Sequence, residues 1–120
     1  MVTLRDVMST DLTVVPSTAT VAEAAQMMSV RHVGSALVMD GEHLAGIFTE
    51  RDIVRALGTD FDATGHPVAT WMTKDPETIT PDATTIEALD RMLHKGFRHL
   101  PVVEGDRVLG VVSLRDLAPR

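Results

Sequence analysis

No cysteine and no tyrosine occur among the 120 residues, and the aromatic complement is one tryptophan and three phenylalanines. The first absence removes disulfides, zinc–thiolate sites and thiol catalysis together, and it suits a reducing compartment. The second leaves no stacking platform for single-stranded nucleic acid. Basic residues are also few: 17 acidic against 11 basic side chains give a formal net charge of −6. That balance lacks the electrostatic footprint of a nucleic-acid binder, so any phosphate contact has to be local. No apolar run approaches a membrane span, and Met1-Val2-Thr3-Leu4-Arg5-Asp6 has neither the charged nor the apolar region of a signal peptide. The expectation is a cytoplasmic protein that binds neither nucleic acid nor membrane.

What the chain does have is a duplication. Gly46-Ile47-Phe48-Thr49-Glu50-Arg51-Asp52 returns as Gly110-Val111-Val112-Ser113-Leu114-Arg115-Asp116. Each copy reads as a strand that delivers a helix N-terminus, with a hydroxyl at the cap and an aspartate three residues on. With 44% hydrophobic residues the chain can bury one shared core, and neither half alone buries enough to be stable.

The rest of each half follows one order. In the first, Leu12–Val15 is a β-branched run stopped by Pro16, and Thr20 precedes a helical stripe of Val21, Ala24, Ala25 and Met28. A strand from Gly34 to Met39, the turn signal Asp40-Gly41 and a strand from Leu44 to Phe48 form a hairpin. Thr49 opens a second helix, which Gly58 is placed to end. In the second, strand 78–80 precedes Pro81, and a helix with Ile86, Leu89 and Leu93 on one face closes at Gly96. Strands 99–103 and 108–112 flank the turn Glu104-Gly105-Asp106, and a short helix from Ser113 runs toward Pro119. The turns and aspartates stand 64 residues apart but Pro16 and Pro81 stand 65 apart, which predicts a one-residue slip near the first helix. Thr59–Pro67 reads as a connecting loop. The expected organisation is repeat 7–58, linker 59–70 and repeat 71–120, together one module of class α/β.

Asp6-Val7-Met8-Ser9 and Thr70-Trp71-Met72-Thr73 at the repeat starts, Val33–Val38 and Phe97–Val103 at the second strands, and the two Gly-to-Asp segments together resemble the CBS domain family. In that family two tandem copies form a Bateman module, and the likeness covers nearly the whole chain. It implies two strand-helix-strand-strand-helix repeats packed about a pseudo-twofold axis, with clefts between them that bind AMP, ADP, ATP or S-adenosylmethionine. It also implies a homodimer formed through helices. With no further domain expected, the output passes to an unidentified effector protein.

For the site, hydroxyls at Thr49 and Ser113 cap helices whose first amides and dipole attract phosphate. Arg51 and Arg115 can add charge-assisted donors to it. Asp52 and Asp116 have two acceptor oxygens suited to a ribose diol, the role the resemblance implies for them. The same residues also form a capping box, and both roles can hold at once. Thr13 and Thr78 match the hydroxyls that relatives offer from the first strand, although threonine is also simply a good strand residue. Ser35-Ala36 and His99-Leu100 would present backbone to an adenine edge, and His99 beside Arg98 could add charge near phosphate. His32, His43, His66, His94 and His99 share no ligand spacing, so no metal is expected. Met27, Met28, Met92 and Trp71 read as core or interface packing. No nucleophile–base set can be assembled, so no catalytic residue, catalytic cofactor or enzyme activity is expected. Two functions remain in view: a sensor of adenosine-containing ligands, or a dimerising interaction module without a nucleotide.

Overall fold

The computed structural model describes residues 1–117 and divides into two units, Thr13–Pro76 and Met1–Leu12 with the segment from Glu77 onward. Pro119, expected to follow the last helix, lies outside the described residues.

In the unit Thr13–Pro76, β1 (Val14–Val15) pairs parallel with β2 (Ser35–Asp40), and β2 pairs antiparallel with β3 (His43–Thr49). The sheet is completed by β4 (Thr73–Lys74) on the far edge of β3. Gly41, with φ +63, makes the tight turn between β2 and β3. Helix α2 (Val21–Arg31) lays Val21, Ala24 and Met28 against Val15, Ala36, Val38 and Phe48 to form the core. Helix α3 (Glu50–Thr59) does not end at Gly58, which keeps helical φ: the Asp60 amide still donates to the Ala56 carbonyl at 2.9 Å. Asp60 then accepts from Asp62 N through its side chain at 2.8 Å. That bond starts a 3₁₀ turn over Phe61–Gly65, where the sequence predicts only a loop. Short helix α4 (Val68–Trp71) follows, with Val68 fully buried in this core.

In the other unit, α1 (Leu4–Val7) packs with the hairpin β5 (His99–Glu104) and β6 (Arg107–Ser113), α5 (Thr85–Lys95) and α6 (Leu114–Leu117). Leu4, Ile79, Ala88, Met92, Leu100 and Val112 form its core. The buried side of α5 is therefore Ala88 and Met92, while Ile86 and Leu93 are 70% and 68% exposed.

In each unit the hairpin takes an edge segment from the other half of the sequence: Thr73 pairs with Ile47, and Ser9 bridges to Val111. Close approach explains the repeated glycines. A Cβ on Gly46 would stand 2.7 Å from the Thr73 carbonyl oxygen, and one on Gly110 2.7 Å from that of Ser9.

The predicted slip is absent. Caps Thr20 and Thr84, core residues Ala24 and Ala88, and helix ends His32 and Gly96 all keep the 64-residue offset. Val15 pairs with Val38 as Ile79 pairs with Val102. The prolines mislead because they are not equivalent: the turn closed by Ala19 N on Pro16 O is closed by Ala83 N on Thr80 O. The residue matching Thr13 is therefore Glu77, not Thr78.

Candidate functional site

The parallel register of β1 on β2 and the hairpin register of β2 on β3 bring three chain segments to one end of a sheet. Thr13 leads into β1, Ser35 and Ala36 begin β2, and Thr49 ends β3 opposite Ser35. Asp52 follows one turn into α3. The buried polar or charged side chains among the described residues are Thr13, Ser35 and Asp52, at 6%, 8% and 6% exposure. All three belong to this end of the sheet. Burying a polar group is costly unless its hydrogen bonds are met, yet the Thr13 hydroxyl oxygen is buried with no hydrogen-bond partner.

Asp52 is bonded on both sides. Its Oδ2 accepts from the Thr49 amide at 2.9 Å and the Thr49 hydroxyl at 3.2 Å, and the Asp52 amide donates back to Thr49 Oγ1 at 3.4 Å. This is the capping box predicted from the spacing. Oδ1 accepts from Arg55 Nη2 at 3.2 Å. The first amide of α3, that of Glu50, donates to the Gly34 carbonyl at 3.1 Å, so two first-turn amides are committed within the protein. Arg51 is exposed.

The second copy repeats the box: Ser113 N donates to Asp116 Oδ2 at 2.8 Å, and Asp116 N to Ser113 Oγ at 3.3 Å. Leu114 N donates to the Arg98 carbonyl as Glu50 N does to Gly34. Thr3–Asp6 and Thr20–Glu23 are boxes as well, so capping by itself marks no special site. Burial separates them: Asp6, Glu23 and Asp116 are exposed, and only Asp52 of the four carboxylates is buried.

His99 and Leu100 begin β5, with His99 opposite Ser113. Leu100 and Ala36 turn their side chains into the two cores, leaving only backbone to offer. Thr78 is exposed and its carbonyl accepts from Arg91 at 2.9 Å. Glu77, the true counterpart of Thr13, pairs with Lys95 at 2.9 Å. Arg115 is exposed. The second copy thus brings Glu77, His99, Leu100, Ser113 and Asp116 to the corresponding end of its hairpin without any buried polar side chain, and Thr78 stands one residue out of register with Thr13. Among the described residues no group of three His, Asp or Glu side chains could hold a metal ion, and no helix is long and apolar enough to cross a membrane.

Arg55 escaped the sequence reading although its i, i+3 spacing from Asp52 was available. Besides Asp52, its Nη2 donates to the Trp71 carbonyl at 2.7 Å, and the guanidinium carbon lies 5.5 Å from the Trp71 ring centroid.

Tandem α/β repeats, each closing a hairpin on a hydroxyl–carboxylate helix cap, define the class of protein. The chain belongs to the CBS domain family, which it matches over residues 4–59 and 68–119. It is 44% identical over 118 residues to an uncharacterized 17.7 kDa protein of Acidianus ambivalens, spanning 96% of this chain and 70% of that one. It is also similar to the crystal structure of a CBS-domain containing protein from Agrobacterium tumefaciens, with 30% identity, a TM-score of 0.90, and 96% and 95% of the two chains covered. A CBS domain protein from Pyrobaculum aerophilum complexed with AMP matches at 26% identity and a TM-score of 0.87, covering 96% of this chain and 89% of that one. The chain spans only 19% of the length of the Arabidopsis thaliana CBS domain-containing proteins it also matches.

Proposed function

We propose that this CBS pair is a regulatory sensor of an adenosine-containing ligand, bound at the end of the sheet where Thr13, Ser35, Thr49 and Asp52 meet. The observation that carries the reading is the Thr13 hydroxyl, buried and unpartnered beside two other buried polar side chains. A protein that retains an unmet hydroxyl there tolerates an unfavourable apo state that a ligand can relieve. The AMP complex of the Pyrobaculum aerophilum relative supports an adenine nucleotide as the first ligand to test, with ADP, ATP and S-adenosylmethionine beside it. Ribose hydroxyls would share the Asp52 carboxylate with its cap. The Asp116 site, which lacks buried polar side chains, is the weaker of the two.

The role is binding without catalysis. A partner protein would read the bound shape, since a ligand shifts an equilibrium only through its differential affinity for the states. A homodimer, in the cytoplasm, is part of the same reading. It is supported by apolar side chains left exposed on α2, α3 and α5, among them Val30, Val54 and Leu93 at 71%, 72% and 68%.

Those exposed side chains also favour a second reading, dimerisation with no nucleotide and the boxes acting as caps alone. Thermal shift separates the two. Ligand at about a hundred times its dissociation constant adds about 2.7 kcal/mol to stability, whereas flat curves for AMP, ADP, ATP and S-adenosylmethionine would leave the dimerisation module standing.

A further inference from the structure

Asp52 is one end of a continuous chain of contacts. Arg55 Nη2 bonds both Asp52 Oδ1 and the Trp71 carbonyl, and its guanidinium faces the Trp71 ring. Trp71 Nε1 donates to His66 Nδ1 at 3.2 Å, and the two rings lie edge to edge and nearly coplanar, with centroids 6.2 Å apart and planes 6° apart. His66 Nε2 lies 3.5 Å from Asp60 Oδ2. The chain runs through α3, the 3₁₀ turn and α4, all within the unit Thr13–Pro76.

The Asp52–Arg55 pair straddles the surface, with side-chain exposures of 9% and 56%. With Arg55 more than half exposed, water screens the pair on that side. Its effect is directional instead: a planar guanidinium held on one side by a carbonyl fixes where the carboxylate oxygen points. In the sequence, the position 64 residues after Arg55 is Pro119, which carries no side-chain donor.

We propose that Arg55 is a positioning residue for the Asp52 site and that Trp71 registers its occupancy. The proposal rests on the nucleoside reading of Asp52. A ribose hydroxyl donating to Oδ1 would share that oxygen with Arg55, which stays bonded to it, and shift the guanidinium against the indole. The indole beside it would then sense a moved charge. Trp71 is the only tryptophan in the chain, so emission reports this place alone.

The test follows AMP binding by calorimetry and by Trp71 emission on the same protein, in the wild type, Arg55→Lys and Arg55→Gln, with folding checked by circular dichroism. In the wild type the emission change is expected to share the calorimetric midpoint. Arg55→Lys keeps the charge but is shorter and gives up the planar guanidinium that lies against the Trp71 ring, so it should bind about tenfold more weakly and lose the emission response. Arg55→Gln should lose both more completely. Wild-type affinity with an intact emission response in folded Arg55→Lys overturns the proposal.

A ligand-free comparison separates the two layers. Asp52→Asn should alter Trp71 emission when Arg55 is present and leave it unchanged in the Arg55→Lys background. If Asp52→Asn has no effect with Arg55 present, the linkage fails even if AMP binds. If AMP, ADP, ATP and S-adenosylmethionine all give no heat but this coupling is seen, the linkage stands and the nucleoside reading fails.

Discussion

The Oδ2 atom of Asp52 accepts from both the amide and the hydroxyl of Thr49, at 2.9 and 3.2 Å, and the carboxylate that holds those bonds is buried. The same box at Ser113 and Asp116 lies open to water. One local motif therefore occurs in two settings. In the first copy its carboxylate is buried at the end of the sheet that also carries the unpartnered Thr13 hydroxyl; in the second it has the surroundings of an ordinary helix cap.

Thr13→Val should raise stability and lower affinity together. The substitution keeps the shape and removes a buried hydroxyl that has no partner, an atom whose desolvation costs about 1–3 kcal/mol. Thermal unfolding of the ligand-free protein should move up by about 3–5 °C for each kcal/mol recovered, while AMP binding measured by calorimetry weakens. A loss of stability would mean that the hydroxyl is satisfied within the protein.

Gly46→Ala should be poorly tolerated. The new methyl would meet the Thr73 carbonyl oxygen at 2.7 Å and Met72 Sδ at 2.6 Å; the thioether can swing away but the backbone oxygen cannot without opening the β3–β4 pairing. Overpacking of this kind costs about 1–3 kcal/mol, which denaturant titration would measure. Gly110→Ala, against the Ser9 carbonyl at 2.7 Å, should cost a similar amount.

His32→Gly should be stabilising. His32 ends α2 in the left-handed region at φ 56, the place that Gly96 fills at φ 77 at the end of α5. A non-glycine residue there carries a penalty of about 1 kcal/mol, partly offset by the greater freedom of glycine in the unfolded chain. The measured gain should therefore lie below that figure, and a large loss would show that the imidazole makes a contact worth more than the strain.

Two carboxylates should lose stabilising interactions in acid. The Thr20 amide, then its hydroxyl, holds the Glu23 carboxyl below its ordinary value of 4.5, and the Ser17 amide, then its side chain, holds Asp40 below 3.8. A depressed folded value means that the contribution is complete above the ordinary value and is lost as pH falls through the lower, folded one. Carboxyl titration by NMR should place both groups below those ordinary values, and Thr20→Val should move Glu23 upward. A wild-type Glu23 titrating at 4.5 or above would contradict the cap.

The two hairpins, the longer helices and the duplicated cap were legible because each depends on local chemistry, whereas α1, the 3₁₀ turn, α4 and β4 were not read. A hydroxyl followed three residues later by a carboxylate favours a helix start at Thr20, Thr49 and Thr84, and the Asp40-Gly41 and Gly105 signals turn their hairpins. Burial is not local, so nothing in Thr49–Asp52 against Ser113–Asp116 announced that only one aspartate would be enclosed. The register error had the same origin. Pro16 and Pro81 look alike in a string of residues, but a turn is defined by the bond that closes it, and Thr80 holds the place of Pro16. Arg55 reaches Trp71 across 16 residues, a separation with no periodic signature. The stripe Ile86, Leu89, Leu93 was visible, whereas its outer members Ile86 and Leu93 are exposed and Ala88 and Met92 fill the core.

Calorimetric titration of AMP into the protein and into Asp52→Ala is the most direct test of a ligand site at the buried end of the sheet. The expected result is saturable binding to the wild type that is lost in a folded Asp52→Ala protein and retained in its Thr49→Ser counterpart, which keeps the hydroxyl. Binding of equal strength to wild type and Asp52→Ala, or no heat from AMP, ADP, ATP or S-adenosylmethionine with the wild type, would contradict it.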